Sequence, residues 1–450
     1  MDTFPQQFDV LHLWYIGNPS SPSCVGSLHL EDDGDGVSLH YSPAWLSSGF
    51  PLSEDLPLIN KRHHPLDILL SNSQRAAGAV DDARPDRWGE KVIRFVDKPE
   101  RLSLMEYLYF AGDERFGALG VSTSASKYLP RHTSPLPVLA EAQQLIEVAL
   151  RVEAAEPLGV LEAKMVAGGG SPMGGAKPKA LISIAGEQWV IKFFNNEPID
   201  APLVEHAAMT LALKACITVA QTQVIQLAGF HAVAIKRFDR HQGQRIHCLS
   251  AGTALRAATP MGQEPQMNYP ALARLLRRAG VKHNNVNLQD ARELFRRMVF
   301  NILMDNTDDH EKNHTLLVPQ PFDNGHLKLA PAYDLLPTNS GQGFQEFGCG
   351  VHGKDSTLVN AMSEFEAFGL SIAEAEGEVL RVVTVVDTWQ QHFAQVGVSD
   401  EDIESLALRI DGEGLLGQRR GWFAGQVILP FCKGVRSRNV MQPWPVSASV

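Results

Sequence analysis

Cysteine is scarce in this chain: five residues in 450, at Cys24, Cys216, Cys248, Cys349 and Cys432, odd in number and nowhere spaced as C-x-x-C. That pattern excludes a disulfide framework and a zinc knuckle, and it suits a reducing compartment. Long apolar runs are missing too, so no segment is expected to span a bilayer. The opening MDTFPQQFDV lacks the basic end and apolar stretch of a signal peptide, so export is not expected and a cytoplasmic location is. Basic charge is in deficit, 40 Lys and Arg against 51 Asp and Glu, for a net charge of -11. An autonomous nucleic-acid binder carries the opposite footprint, so any DNA contact is expected only through a partner.

What is present is globular composition, 44% apolar and 20% charged, in a chain too long for one ordinary core. The residues predict a first α/β unit over 1–135, with strands at Val10 to Tyr15 and Val37 to Tyr41 and a Gly-rich acidic turn at Asp32 to Gly36. A Pro-rich break at Leu129 to Pro137 and a helical pattern from Val138 to Glu153 mark the boundary. A β-rich unit over 136–240 follows, with a hairpin (Ala180 to Ile184, turn at Ala185 and Gly186, Trp189 to Phe194), a helix over Val204 to Ala215, and a second hairpin (Gln223 to Leu227, turn at Gly229, Ala232 to Phe238). From 241 to 450 the pattern is mainly helical. Ala291, Leu294, Phe295, Met298, Val299, Ile302 and Leu303 recur at i, i+3, i+4 and predict a buried helix, with Asn287 as its cap and Asp290 in its first turn. Ser371 with Glu374, and Ser399 with Asp402, read as capping boxes or close variants.

Three clusters carry chemistry. Ala167 to Lys179 is Gly-dense, with Gly170, Ser171, Gly174 and Gly175 able to bring backbone N–H groups close to phosphate oxygens and Lys177 or Lys179 to add charge. It is no Walker A loop, since no Gly-Lys-Ser/Thr closes it and a strand follows. Asn306-Thr-Asp-Asp-His-Glu-Lys-Asn313 sets Asp308 and Asn313 five apart, the interval at which a protein kinase places the Asp that orients the acceptor hydroxyl and the Asn that binds metal. Asp334, in Ala330-Pro-Ala-Tyr-Asp-Leu-Leu336, stands where a second Mg²⁺-binding carboxylate is needed. Lys192, on the strand after the Gly-rich loop, is positioned to pair with ATP phosphates, and Glu205 to orient it. Each alone has a plain reading as a turn, an edge-strand charge or a first-turn helix charge. Their order along one chain is far more restrictive. His63, His64 and His310 read as surface or hydrogen-bonded histidines, though His310 falls within the loop expected to face nucleotide; Trp45 and Trp88 read as core.

The chain resembles the HipA family of kinase toxins along nearly its whole length. The residues that carry the resemblance are the Asn306 to Asn313 and Ala332-Tyr-Asp-Leu-Leu336 stretches, Gly174-Gly-Ala-Lys-Pro-Lys179, Lys236-Arg-Phe-Asp-Arg240 and, near the N-terminus, Ser42-Pro-Ala-Trp-Leu46, Arg84-Pro-Asp-Arg-Trp-Gly89 and Phe116-Gly-Ala-Leu119. The resemblance implies an α+β, two-lobed protein-kinase-like fold with an additional small N-terminal α/β subdomain and a mainly helical C-terminal lobe. It implies ATP and Mg²⁺ as cofactors and serine/threonine protein kinase activity, with Asp308 catalytic, Asn313 and Asp334 on the metal, and Lys192 on the phosphates. Lys236, Phe238 and Asp239 would form the interlobe hinge, with Phe238 at the adenine and Asp239 on the ribose side. Ser171 would be an autophosphorylation site whose modification silences the enzyme. The implied partners are a HipB-like DNA-binding antitoxin and a protein substrate such as an aminoacyl-tRNA synthetase, with no membrane and with DNA reached only through the antitoxin. One departure stands out: where many relatives carry an acidic, aromatic stretch after the hinge, this chain has Cys248-Leu-Ser-Ala-Gly-Thr-Ala254. Alternatives on the same framework are a small-molecule kinase and a co-repressor subunit of an antitoxin–DNA complex.

Overall fold

A computed structural model describes residues 7–31, 36–66, 75–131, 135–169, 177–194 and 197–423. Three sheets, with a two-stranded ribbon of Arg240–His241 and Gln244–Arg245, organise the described residues. The N-terminal sheet runs Arg62–His63, Gly36–Tyr41, Ser23–Leu30, Val10–Tyr15, Leu119–Ser122, with Arg75–Ala76 pairing in parallel onto Gly36–Tyr41. A four-stranded antiparallel sheet runs Lys179–Ile184, Glu187–Phe193, His231–Lys236, Thr222–Gln226. A small three-stranded sheet, His247–Ser250, Thr315–Val318 and Lys328–Leu329, lies beneath it in the mainly helical remainder.

The register of the middle sheet follows from its turn. Ala185 and Gly186 both have positive φ, 52° and 79°, so the two strands close through a two-residue turn whose twist matches theirs. Ile184 then faces Glu187, and counting five residues outward along each strand places Lys179 opposite Lys192. Both lysines therefore stand on one face.

Between these hairpins lies the helix Ala201–Lys214, which starts three residues before the apolar periodicity does. Asp200 caps it by accepting from the Leu203 N–H at 3.3 Å, and Pro202 sits in its first turn. In the C-terminal part, all seven apolar residues expected to define a buried helix are sealed from solvent in the helix Val286–Leu303. Its cap is a correction. Asn285, in the left-handed region at φ 57°, precedes the helix, while Asn287 lies inside it and donates to the Arg277 carbonyl at 2.9 Å. Asp290 accepts from the Leu329 N–H at 2.8 Å, tying this helix to the small sheet. Ser371 and Glu374 do form a capping box; Ser399 caps the helix Asp400–Ile410 through the Asp402 N–H alone.

Two large cores and a small third one, Cys248, Leu317 and Ala330, hold the described residues. One large core joins the N-terminal sheet, the helix Ala201–Lys214 and the helical lobe. The other lies over the back of the middle sheet, where Ile191 and Phe193 pack with Leu145 and Ile146, and with Trp88 and Val92 contributed by the N-terminal unit. Trp88 also donates its indole N–H to the Lys179 carbonyl at 2.8 Å. The N-terminal unit thus grips both lobes and closes one side of the cleft between them. No helix among the described residues is long and apolar enough to cross a membrane.

Candidate active site

The cleft is lined from above by Lys179, Val190 and Lys192, along the interlobe connection by Ile235 to Asp239, and from below by His310, Lys312, Asn313, Tyr333 and Asp334. Its remaining wall comes from the N-terminal unit and the helix Ala251–Ala258: Asp81, Asp82, Arg84, Asp86, Phe116, Ser250 and Arg256.

Lys192 is the hub. Its ammonium donates to Glu205 Oε1 at 2.8 Å and is also paired with Asp334. Burial by itself would lower this lysine's pKa, but the Asp334 and Glu205 carboxylates outweigh it and raise it, so Lys192 stays charged. Burial would likewise raise Asp334, and Lys192 reverses that and holds it down at about 2. Glu205 is pushed up by burial and by Asp334; it is fully buried, and its Oε2 has no hydrogen-bond partner among the described residues. Lys179, directly across the strand pair, is lowered to about 8 by burial and by the neighbouring Lys192.

Asp334 occupies the left-handed region at φ 59°, a conformation Asp tolerates better than most residues and one that marks strain worth holding. The surroundings hold it. The Ala332 N–H donates to the Thr218 carbonyl at 2.8 Å, and Asn306 donates to the Asp334 carbonyl at 3.4 Å. Asn306 also donates to Asn301, which donates to the Tyr269 hydroxyl at 3.0 Å. Tyr269 in turn donates to Asp309, which also accepts from His314 Nε2 at 3.0 Å.

The adjacent carboxylates Asp308 and Asp309 therefore divide their roles. Asp309 is buried and structural, while Asp308 is exposed. The Asp308 pKa is raised by partial desolvation, opposed by His310 and reinforced by Asp334 and Glu346. Asn313 spends its Nδ2 on the Asp308 carbonyl at 3.4 Å, which leaves Oδ1 as the end available to a cation. His310 Nδ1 accepts from the Lys312 N–H, closing the turn Glu311–Asn313, and the ring lines the cleft. The segment after Asp334 is pinned to this loop: Thr338, Glu346 and Phe347 donate their N–H groups to the carbonyls of Asp305, Thr307 and Asp309.

Among the described residues no three His, Cys, Asp or Glu side chains gather into a metal cage. Asn313 and Asp334 nevertheless line one cavity as a neutral amide oxygen and a fully ionised carboxylate, a hard-oxygen pair that fits a Mg²⁺ whose other ligands are phosphates and water.

At the hinge, Phe238 lines the cleft and packs on Tyr333 with ring centroids 5.4 Å apart, an apolar surface against which a planar base can lie. Lys236 also borders the cleft, but its ammonium is paired with Glu187. Asp239 differs from its expected ribose-side role. It is buried, and it accepts from Arg237 through both oxygens, from Arg240 at 2.8 Å and from the Gly117 N–H at 2.9 Å. These bonds occupy the carboxylate and hold it well below the usual range despite its burial. Its function is to clamp the hinge to the N-terminal unit. Lys177 lies at the surface, over the Phe194 ring and 3.1 Å from Glu197, so Lys179 is the lysine that enters the cleft. Ala167 to Gly169 end the helix Val160–Gly169, and Gly170, Ser171, Gly174 and Gly175 lie outside the described residues. Of the histidines, His63 is buried edge-on to Tyr41 and His64 pairs with Glu31 at the surface; Trp45 and Trp88 are core.

Residue reasoning missed Asp82, Asp86 and Lys312. Asp82 accepts from the Ser250 N–H and hydroxyl, both at 2.7 Å, and from Thr253 at 2.9 Å, while Asp86 pairs with Lys312. Asp86 lies in the Arg84 to Gly89 stretch and Lys312 in the Asn306 to Asn313 stretch, both noted for resemblance and neither for these side chains; Asp82 had no signal.

Comparison with known proteins matches residues 21–122 to the HipA N-terminal domain and residues 171–393 to the HipA-like C-terminal domain. The chain is 30% identical over 165 residues to a Sinorhizobium fredii protein named "Putative kinase Y4dM" and 29% identical over 143 residues to a Haemophilus influenzae protein named "Putative kinase". Those stretches cover 34% and 29% of this chain and span only 38% and 40% of the relatives' lengths. Among solved structures, the HipA–HipB–operator DNA complex of Shewanella oneidensis superposes with a TM-score of 0.60 at 17% identity, over 92% of this chain and 97% of that one. The two share a fold.

Proposed function

Because the chain belongs to the HipA family, we propose that it is an ATP- and Mg²⁺-dependent kinase that transfers the γ-phosphate to a serine or threonine hydroxyl of a protein. The observation that carries this reading is the convergence on one cleft of Lys192, held by Glu205, with Asn313 and Asp334, while Asp308 stands exposed on the same loop as Asn313.

Each residue has a physical task. Lys192, kept charged by two carboxylates, offers a fixed cation to the phosphates, and Lys179 adds a second while it is protonated. Phe238 and Tyr333 take the base. Asn313 through Oδ1 and Asp334 through its carboxylate would hold the divalent cation, which when bound neutralises phosphate charge. Asp308 accepts or orients the hydroxyl proton, and its raised pKa moves it toward the range useful for a base. Asp309, Tyr269 and Asn301 position the loop.

The Shewanella HipA is seen with HipB and operator DNA. By that likeness this reading includes a HipB-like antitoxin as partner, with DNA reached through it, and an acceptor protein such as an aminoacyl-tRNA synthetase. The test is incubation of the purified chain with Mg²⁺ and labelled ATP beside Asp308→Gln, with phosphate located by mass spectrometry. Label on serine or threonine, Ser171 included, in the wild type and reduced about a thousandfold in the variant is the expected outcome. Binding of ATP without transfer to itself or to any protein of a cell extract would sink the reading.

A further inference from the structure

Resting on the kinase reading above, we infer that Arg84 and Arg256 form an acceptor-side subsite that selects a polypeptide carrying an acidic residue near the accepting hydroxyl. The two arginines come from different units. Arg84 follows the short helix Gly78–Ala83 of the N-terminal unit, and Arg256 ends the helix Ala251–Ala258 of the helical lobe; both line the cleft. They share one carboxylate, Asp81, with Arg84 Nε at 3.2 Å from Oδ1 and Arg256 Nη2 at 3.8 Å from Oδ2. A third guanidinium, Arg75, lies within the field of both, as do Asp81 and Glu311.

The other carboxylates on this wall are committed. Asp82 is held by Ser250 and Thr253, and Asp86 is paired with Lys312. Arg256 Nη2 also donates to Thr253 Oγ1 at 3.1 Å, and Asp55 and Glu311 lie near it; the remaining N–H groups of the two guanidinium forks can still meet a carboxylate from outside.

The arginines and the lysines placed for phosphates come from different elements: Lys179 and Lys192 are carried by the middle sheet. The helix bearing Arg256 is set against the catalytic loop so closely that a Cβ on Gly252 would lie 2.5 Å from Glu311 Cγ, so the arginine is held at a fixed distance from Asp308 and Asn313. Asp308 itself is exposed and is not part of the cleft lining. That exposure leaves Asp308 within reach of a hydroxyl on a protruding peptide segment.

The experiment is a positional-scanning peptide library with a central serine or threonine, labelled ATP, and the full chain as wild type, Arg84→Glu and, separately, Arg256→Glu, each checked for folding by thermal melting. The wild type is expected to favour Asp or Glu over Lys at a flanking position by about tenfold, and either variant to reverse that ratio. A wild type without acidic preference overturns the inference whatever the variants do. So do folded variants that keep the preference, or that raise only the KM for ATP. ATP turnover or self-labelling with an unlabelled library would discard the subsite and leave the kinase reading standing; no turnover at all would discard both.

Discussion

Two buried charge clusters lie side by side around the hinge, and they are built on opposite principles. In the cluster of Asp239, Arg237, Arg240 and Glu114, the Asp239 carboxylate accepts from two arginines and a backbone N–H and has no oxygen to spare, although Glu114 Oε2 and Arg240 Nε lack a hydrogen-bond partner among the described residues. In the cluster of Lys192, Glu205 and Asp334, Glu205 leaves one oxygen without a partner, Asp334 sits in strained left-handed backbone, and the group opens onto the cleft. A buried carboxylate with both oxygens engaged, as at Asp239, is a joint; one held in place by its neighbours and open to the cleft, as at Asp334, is available for chemistry.

The same chemical change at the two aspartates breaks this comparison most directly. Asp334→Asn keeps the shape, leaves Lys192 on Glu205, and removes the carboxylate that would meet the metal. Phosphate transfer should fall by about a thousandfold or more while the urea midpoint barely moves. Asp239→Asn should do the reverse. Removing one partner of a buried, multiply bonded pair costs about 3 kcal/mol, visible as a lower urea midpoint, while transfer per folded molecule stays within a few-fold of wild type. A large activity loss with unchanged stability at Asp239 would show that it serves nucleotide directly after all.

The smallest effect concerns Lys179, which sharpens the picture of the poised cluster. Its pKa in the fold is about 8 against an ordinary 10.5, so the free enzyme loses this cation as pH rises through 8. The kcat/KM for ATP should fall by about fivefold over that interval, and Lys179→Arg, which stays charged, should flatten the limb. Stability should move the other way. Between pH 8 and 10.5 the unfolded chain binds the proton that the folded chain has shed, so unfolding becomes harder as pH rises.

Legibility followed sequence distance. The hairpins, the buried helix and its seven sealed residues, and the serine caps at Ser371 and Ser399 arise from interactions spanning a few residues, and periodicity and turn chemistry report them. The Lys192–Glu205 pair spans 13 residues and follows from a strand leading into a helix. Asp239 misled because its partner Gly117 lies 122 residues away and Arg237 and Arg240 are ordinary neighbours in sequence. Asn287 misled because asparagine before an apolar run reads as a cap, whereas its real partner is the Arg277 carbonyl of the preceding helix.

By itself, the sequence determined which chemistries were possible here: an acidic chain with a lysine, an asparagine and two aspartates in the order phosphoryl transfer requires, and a two-residue turn that sets Lys179 against Lys192. Tertiary structure alone decided which of the two adjacent aspartates faces solvent, that the Asp239 carboxylate is consumed by arginines, and that Asp82, Arg84 and Asp86 of the N-terminal unit form a wall of the cleft. The reason is physical: a carboxylate's role depends on burial and on how many donors reach it, and some of those donors, the Gly117 N–H on Asp239 and Ser250 and Thr253 on Asp82, come from segments more than a hundred residues distant that only packing brings near.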